Sequence, residues 1–132
     1  MTLSPLMAYL DRLCEEKGVA TDYGCSENEV ETYKRIAKSR YPDRPICVVA
    51  DWRWLDFQVC KFSSGDVNNI EVVDEQQICA KTIIEDQADR QFNSVITSKL
   101  NEFSDNCIFL TRNTAYILVG SGYRVSMPPI FL

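Results

Sequence analysis

The sequence contains no histidine. That absence removes the commonest general base, the commonest neutral metal ligand and every Ser-His or Cys-His nucleophile pair. The start, MTLSPLMAYLDRL, does not read as a signal peptide, having neither a basic n-region nor a long apolar run, so no export is expected. No apolar run approaches the ~18 residues that a membrane span needs. There is no basic excess, since 14 Lys and Arg stand against 19 Asp and Glu for a net charge of -5. A nucleic-acid binder usually shows a basic stripe. Mimicry of a DNA backbone would need about one negative charge per 1.7 Å of duplex, far more than this. Internal repeats and low-complexity segments are absent as well.

These absences set the expectations. The reading is a soluble, acidic, cytoplasmic protein that makes no membrane contact and does not bind nucleic acid directly. Its cysteines (Cys14, Cys25, Cys47, Cys60, Cys79 and Cys107) are scattered, and no pair has C-x-x-C spacing. Without export they stay reduced and act as small apolar core residues. No cofactor and no metal are expected. With 132 residues the chain suits one domain, residues 1–132. Such a domain buries roughly two thirds of its unfolded surface and needs no staple.

What is present begins with helical spacing. Leu3, Leu6, Met7, Leu10, Leu13 and Cys14 form one stripe, with Ser4 as cap, Pro5 in the first turn and Gly18 at the end. They predict a helix over about 5–17. Ser26-Glu27-Asn28-Glu29 reads as a capping box, and Val30, Tyr33, Ile36 and Ala37 continue the apolar face. Pro42 stops this second helix, predicted over about 27–40. Its acids come early and its Lys34, Arg35, Lys38 and Arg40 come late, as the helix dipole favours. That is either a docking surface or a well-made solvent-facing helix.

After residue 45 the spacing becomes that of strands. Candidates are 46–50, 57–62, 70–73, 78–84 and 92–97, with Ser63-Ser64-Gly65-Asp66 as a loop. The residues 107–119 read as a hairpin turning at Arg112-Asn113. That register sets Phe109 against Tyr116, Leu110 against Ala115 and Ile108 against Ile117. Both faces are apolar, so the hairpin belongs in the interior. The order predicts an α+β fold: two N-terminal helices packed on an antiparallel sheet of about five to six strands. The helical part is about 1–42, the sheet part about 46–125, and 126–132 is a short extended tail.

Gly120-Ser121-Gly122 imitates a phosphate loop, but Tyr123-Arg124-Val125-Ser126-Met127-Pro128-Pro129 cannot start a helix behind it. A turn or bulge at a strand end is the better reading. Glu71, Asp74, Glu75, Glu85, Asp86 and Asp89 could serve a divalent ion or acid-base chemistry, yet they lack regular ligand spacing and suit solvated turns. Cys25, just before the second helix, is the cysteine best placed for a stabilised thiolate. The segment Asp51-Trp52-Arg53-Trp54-Leu55-Asp56 stands out most. Trp52, Arg53, Trp54 and Asp56 form the partner-binding candidate if exposed, since Trp and Arg dominate interface hot spots. As a connection whose tryptophans plug the core, they would be structural.

The stretch Ser94-Val95-Ile96-Thr97-Ser98-Lys99-Leu100, with residues 111–122, resembles the C-terminal half of small proteins carried by phages and prophages of Gram-negative bacteria. The likeness covers about 90–125. It implies a phage accessory role exercised by binding, including inhibition of host defence systems, and it supplies no functional residues. The functional expectation is a non-catalytic protein-binding module that engages a host protein or complex, possibly one with a basic surface. The alternatives are a small enzyme using carboxylates or a cysteine, and a subunit of a phage assembly.

Overall fold

The computed structural model describes residues 5–63 and 66–132. The expected Leu3 contact, Ser4 cap and Ser64-Gly65 turn lie outside these. Helix α1 (Pro5–Lys17) buries the predicted stripe of Met7, Leu10, Leu13 and Cys14. Two residues, Val19–Ala20, then form strand β1. A 3₁₀ turn at Glu27–Glu29 leads into α2 (Val30–Arg40). There the Glu29 carboxylate accepts from both the Ser26 N–H and its hydroxyl at 3.0 Å. The helix closes where the Tyr41 N–H donates to the Ala37 carbonyl at 2.8 Å, one residue before Pro42.

The sheet is built on two long strands, β2 (Ile46–Ser63) and β3 (Asp66–Asp86), paired antiparallel over most of their length. After them come β4 (Val95–Ile96), β5 (Glu102–Ser104), β6 (Ile108–Leu110), β7 (Ala115–Leu118), β8 (Tyr123–Ser126) and β9 (Ile130–Phe131). The predicted hairpin register is the observed one: Ile108 faces Ile117, Phe109 faces Tyr116 and Leu110 faces Ala115. Every residue of β6 and β7 is buried. No helix among the described residues is long and apolar enough to cross a membrane.

Two expectations about the sheet need correction. It is mixed rather than antiparallel, and among the described residues it has nine strands rather than five or six. One edge of β2 carries β3. Its other edge carries β7, β8 and β9 in succession, all parallel to it. These three behave as one strand interrupted twice, first by Gly120-Ser121-Gly122 and then by Pro128-Pro129, which has no N–H to give a ladder. The tail expected at 126–132 therefore contains a strand: Val59 pairs with Ile130 and Cys60 with Phe131.

The supposed break between strands 46–50 and 57–62 is not a connection. The strand runs through it, and Asp51 absorbs the change with a left-handed φ of 52°. This shifts the phase of the side chains. Before Asp51 the odd residues Cys47 and Val49 join one core cluster; after it, the even residues Trp52 and Trp54 do. The opposite face carries both helices. There α2 covers Ile46 and Val48, while α1 covers Leu55 and Val125.

Candidate interaction surface

The segment singled out from the sequence is interior. Trp52 is 1% exposed, Trp54 4% and Arg53 8%, so the reading of these three as a contact surface is replaced by a structural role. The Trp52 indole lies against the glycine turn, and its Nε1–H donates to the Gly120 carbonyl at 3.3 Å. A Cβ on Gly122 would lie 2.5 Å from ring carbons of Trp52, and Gly120 has φ +76°. The Gly-Ser-Gly is thus a turn that lets backbone reach an indole, in keeping with the strand-end reading.

Trp54 sits among Tyr23, Phe103 and Phe109 at centroid distances of 5.2, 4.9 and 5.1 Å, the last two edge-on. Edge-on aromatic pairs add to the burial of about 150–250 Å² per ring, worth roughly 5 kcal/mol at ~25 cal/mol/Å². The Arg124 guanidinium stacks on Trp54 at 5.3 Å and makes two bonds to the Asp56 carboxylate, at 2.6 and 2.9 Å. Asp56 is therefore committed within the chain. Arg53 meets Asp11 of α1, which also takes Lys81 at 2.6 Å. That ion trio ties α1 to the sheet.

The other candidates are dispersed. All six cysteines are buried free thiols. Burial pushes the Cys25 thiol up despite the nearby helix start, and pushes Cys14 and Cys47 up to about 11. That is opposite to what a nucleophile needs. Glu85 is bound by Lys34 at 2.7 Å. Asp86 takes Arg90 at 2.8 Å and the Ala88 N–H at 3.0 Å, and Arg90 holds its carboxyl below the ordinary range. Among the described residues, no three acids or cysteines gather as a metal site would require.

The unpartnered surface lies elsewhere, at the far end of the β2–β3 hairpin. The lower part of the hairpin is packed on both faces, while among the described residues its upper part projects as an arm paired on one edge with β9. Side chains alternate there. One face brings together Phe62 and Phe131, 47% and 64% exposed, with Ile70 and Val72 at 47% and 54%. The pairing Cys60↔Val72 and Cys60↔Phe131 makes them one row across three strands, with Phe62↔Ile70 as the next. The other face carries Glu71, Val73 and Glu75, with Lys61 opposite Glu71. Sequence reading treated 57–62 and 70–73 as ordinary strands. Phe62, Ile70 and Val72 share the face of Trp52 and Trp54, opposite the helices, and lie beyond the cluster that covers those indoles.

The fold and this arm define the class: a small α+β domain built round one long β-hairpin, with a curled mixed sheet. Within that class the chain belongs to the family described as Domain of unknown function (DUF6957), which matches it over residues 22–129. The match takes in the arm and α2 and leaves α1, β1 and β9 outside. No curated protein and no solved structure matches the chain.

Proposed function

We propose that this protein is a non-catalytic binding module that associates stoichiometrically with another protein through the apolar face of the β2–β3 arm. The observation that carries this reading is the contiguous row of Phe62, Ile70, Val72 and Phe131, left uncovered beyond the packed clusters of the sheet. Contiguous exposed apolar patches on soluble domains mark interaction sites, and aromatic anchors supply most of the energy in such contacts. The net charge of -5 and the Glu71, Asp74 and Glu75 carboxylates around the patch favour a basic partner. On the resemblance to phage-carried proteins, that partner is a host protein and the effect on it inhibitory. The buried thiols and the dispersed carboxylates favour binding over catalysis.

The test compares wild type with Phe62→Ser/Phe131→Ser as bait in bacterial lysate, then titrates the captured protein against both. Folding of the variant is checked by circular dichroism. The reading expects saturation at a fixed ratio, loss of affinity in the folded variant and slower association as salt rises. Turnover of a substrate at substoichiometric protein, or unchanged affinity in the variant, would overturn it.

A further inference from the structure

We infer that the arm binds its partner by strand addition: an extended segment with alternating apolar and basic residues pairs with the open edge of β3 beside Ile70, Val72 and Asp74. This deepens the binding reading above and rests on it. Among the described residues, the edge is covered toward the body of the domain. There β4 pairs with Cys79 and Ala80, the Thr97 N–H donates to the Ile78 carbonyl at 2.9 Å, and the Leu100 N–H donates to the Gln76 carbonyl at 2.8 Å. Beyond Gln76, toward the tip, no strand among the described residues pairs with this side of β3.

Direction follows from alternation. Gln76 and Ile78 turn their carbonyls outward. The register with β2 is unbroken from Trp54↔Ile78 to Phe62↔Ile70. The backbone groups of Asp74, Val72 and Ile70 therefore face outward as well, while those of Glu71, Val73 and Glu75 face β2. Natural edges are usually guarded by lysine, proline or a bulge. Residues 70–76, IEVVDEQ, contain no lysine or proline and show no bulge.

The side chains state what the added strand must look like. On one face its residues would extend the row of Ile70 and Val72, so they must be apolar. On the other they would lie beside Glu71 and Glu75, so they must be basic. Among the described residues, Glu75 is answered by Lys99, at a long 4.0 Å. A second copy of this chain fits poorly. Of the antiparallel registers that keep outward backbone groups opposed, the one centred on Val73 sets Glu71 against Glu75 twice, and like charges directly opposite are destabilising; the one centred on Val72 sets Asp74 against Ile70 twice and gives the acids no base.

The probe is a synthetic peptide of about ten residues, one strand in length or a little more, alternating lysine and valine. Two controls accompany it: glutamate in place of lysine, and the same lysines and valines in two blocks. Amide hydrogen exchange on the wild-type protein should show new protection at Ile70, Val72 and Asp74 when the alternating peptide is added. Both controls should bind at least about tenfold more weakly. Val72→Pro removes one outward N–H and no bond to β2, and should weaken binding by about tenfold or more. Binding without protection on β3, equal binding of the block peptide, or unchanged affinity in a folded Val72→Pro would each overturn strand addition. Protection of the same amides without peptide, in a protein that sediments as a dimer, would also overturn it in favour of self-pairing. If the lysate partner is lost by Phe62→Ser/Phe131→Ser but kept by Val72→Pro, strand addition falls and the arm-face reading stands. If neither variant affects that partner, both fall.

Discussion

Replacing Gly122 with alanine measures how closely the glycine turn is pressed on the buried indole. The new Cβ would lie 2.5 Å from two ring carbons of Trp52 and 2.6 Å from a third. At 1% exposure the indole has no free space into which to turn. Overpacking of this kind costs about 1–3 kcal/mol. Gly122 has a backbone conformation open to alanine, so the lost freedom of the unfolded chain returns about 0.4–1 kcal/mol. The net destabilisation is about 1–2 kcal/mol. An unfolding entropy of roughly 2.1 cal/mol/K per residue gives about 0.28 kcal/mol/K for this chain, and the midpoint should fall by about 4–7 °C. Thermal unfolding followed by tryptophan fluorescence reads this directly. In a Trp52→Leu background the same substitution should become nearly neutral, a coupling of about 1–2 kcal/mol. A midpoint within about 1 °C of wild type, or an equal loss in both backgrounds, would refute the reasoning.

Three further outcomes follow from the packing. Trp54→Ala should cost about 3–5 kcal/mol in denaturant titration, because it empties the centre of the aromatic cluster; a cost below about 1 kcal/mol would mean the ring is not core. Asp86→Asn should destabilise at neutral pH. The native Asp86 pKa is depressed by Arg90, so its contribution is present above the unfolded carboxylate value and disappears as pH falls through the native one. The difference between variant and wild type should therefore close in acid, and a constant difference down to about pH 2 would contradict that. Iodoacetamide should label none of the six thiols in the native protein within minutes at pH 8 and all six after denaturation, as intact mass would show; rapid native labelling of Cys25 would reopen the nucleophile reading.

Both helices and the β6–β7 hairpin were legible because their signals are local. The α1 stripe, the Ser26–Glu29 box and the mirrored apolar residues around Arg112-Asn113 each lie within a few turns or one hairpin. The continuity of β2 was not legible. Asp51 shifts the two-residue period by one, so the apolar pattern before it and after it looks like two elements. Strand β5 escaped for a related reason. The Asp105-Asn106 turn that follows it, with φ of 51° and 60°, lacks the glycine that usually marks such a turn. Parallel pairing of β7, β8 and β9 with β2 depends on contacts far apart in sequence, which no local spacing records. For the binding surface, residue type pointed to Trp52 and Trp54, but type does not reveal which face an element presents. The Asp51 phase shift turned both indoles inward, and the apolar residues left outside lie on the same face farther along the hairpin, beyond the cluster around those indoles.

The single edge of β2 shared by β7, β8 and β9 also orders events in time. During synthesis Ile46 must wait for Ala115, Arg53 for Tyr123 and Cys60 for Phe131. Pairings that span so much chain close slowly, since loop-closure entropy is met before contacts reward it. Until residues 123–131 leave the ribosome, β2 shows a bare hydrogen-bonding edge from Arg53 to Cys60. A chain cut short before Tyr123 should keep its helices and the β6–β7 hairpin, yet expose that edge permanently and precipitate. Residues 123–131 thus act as the closing seam of the sheet, and the nascent protein is most vulnerable in the moments just before they arrive.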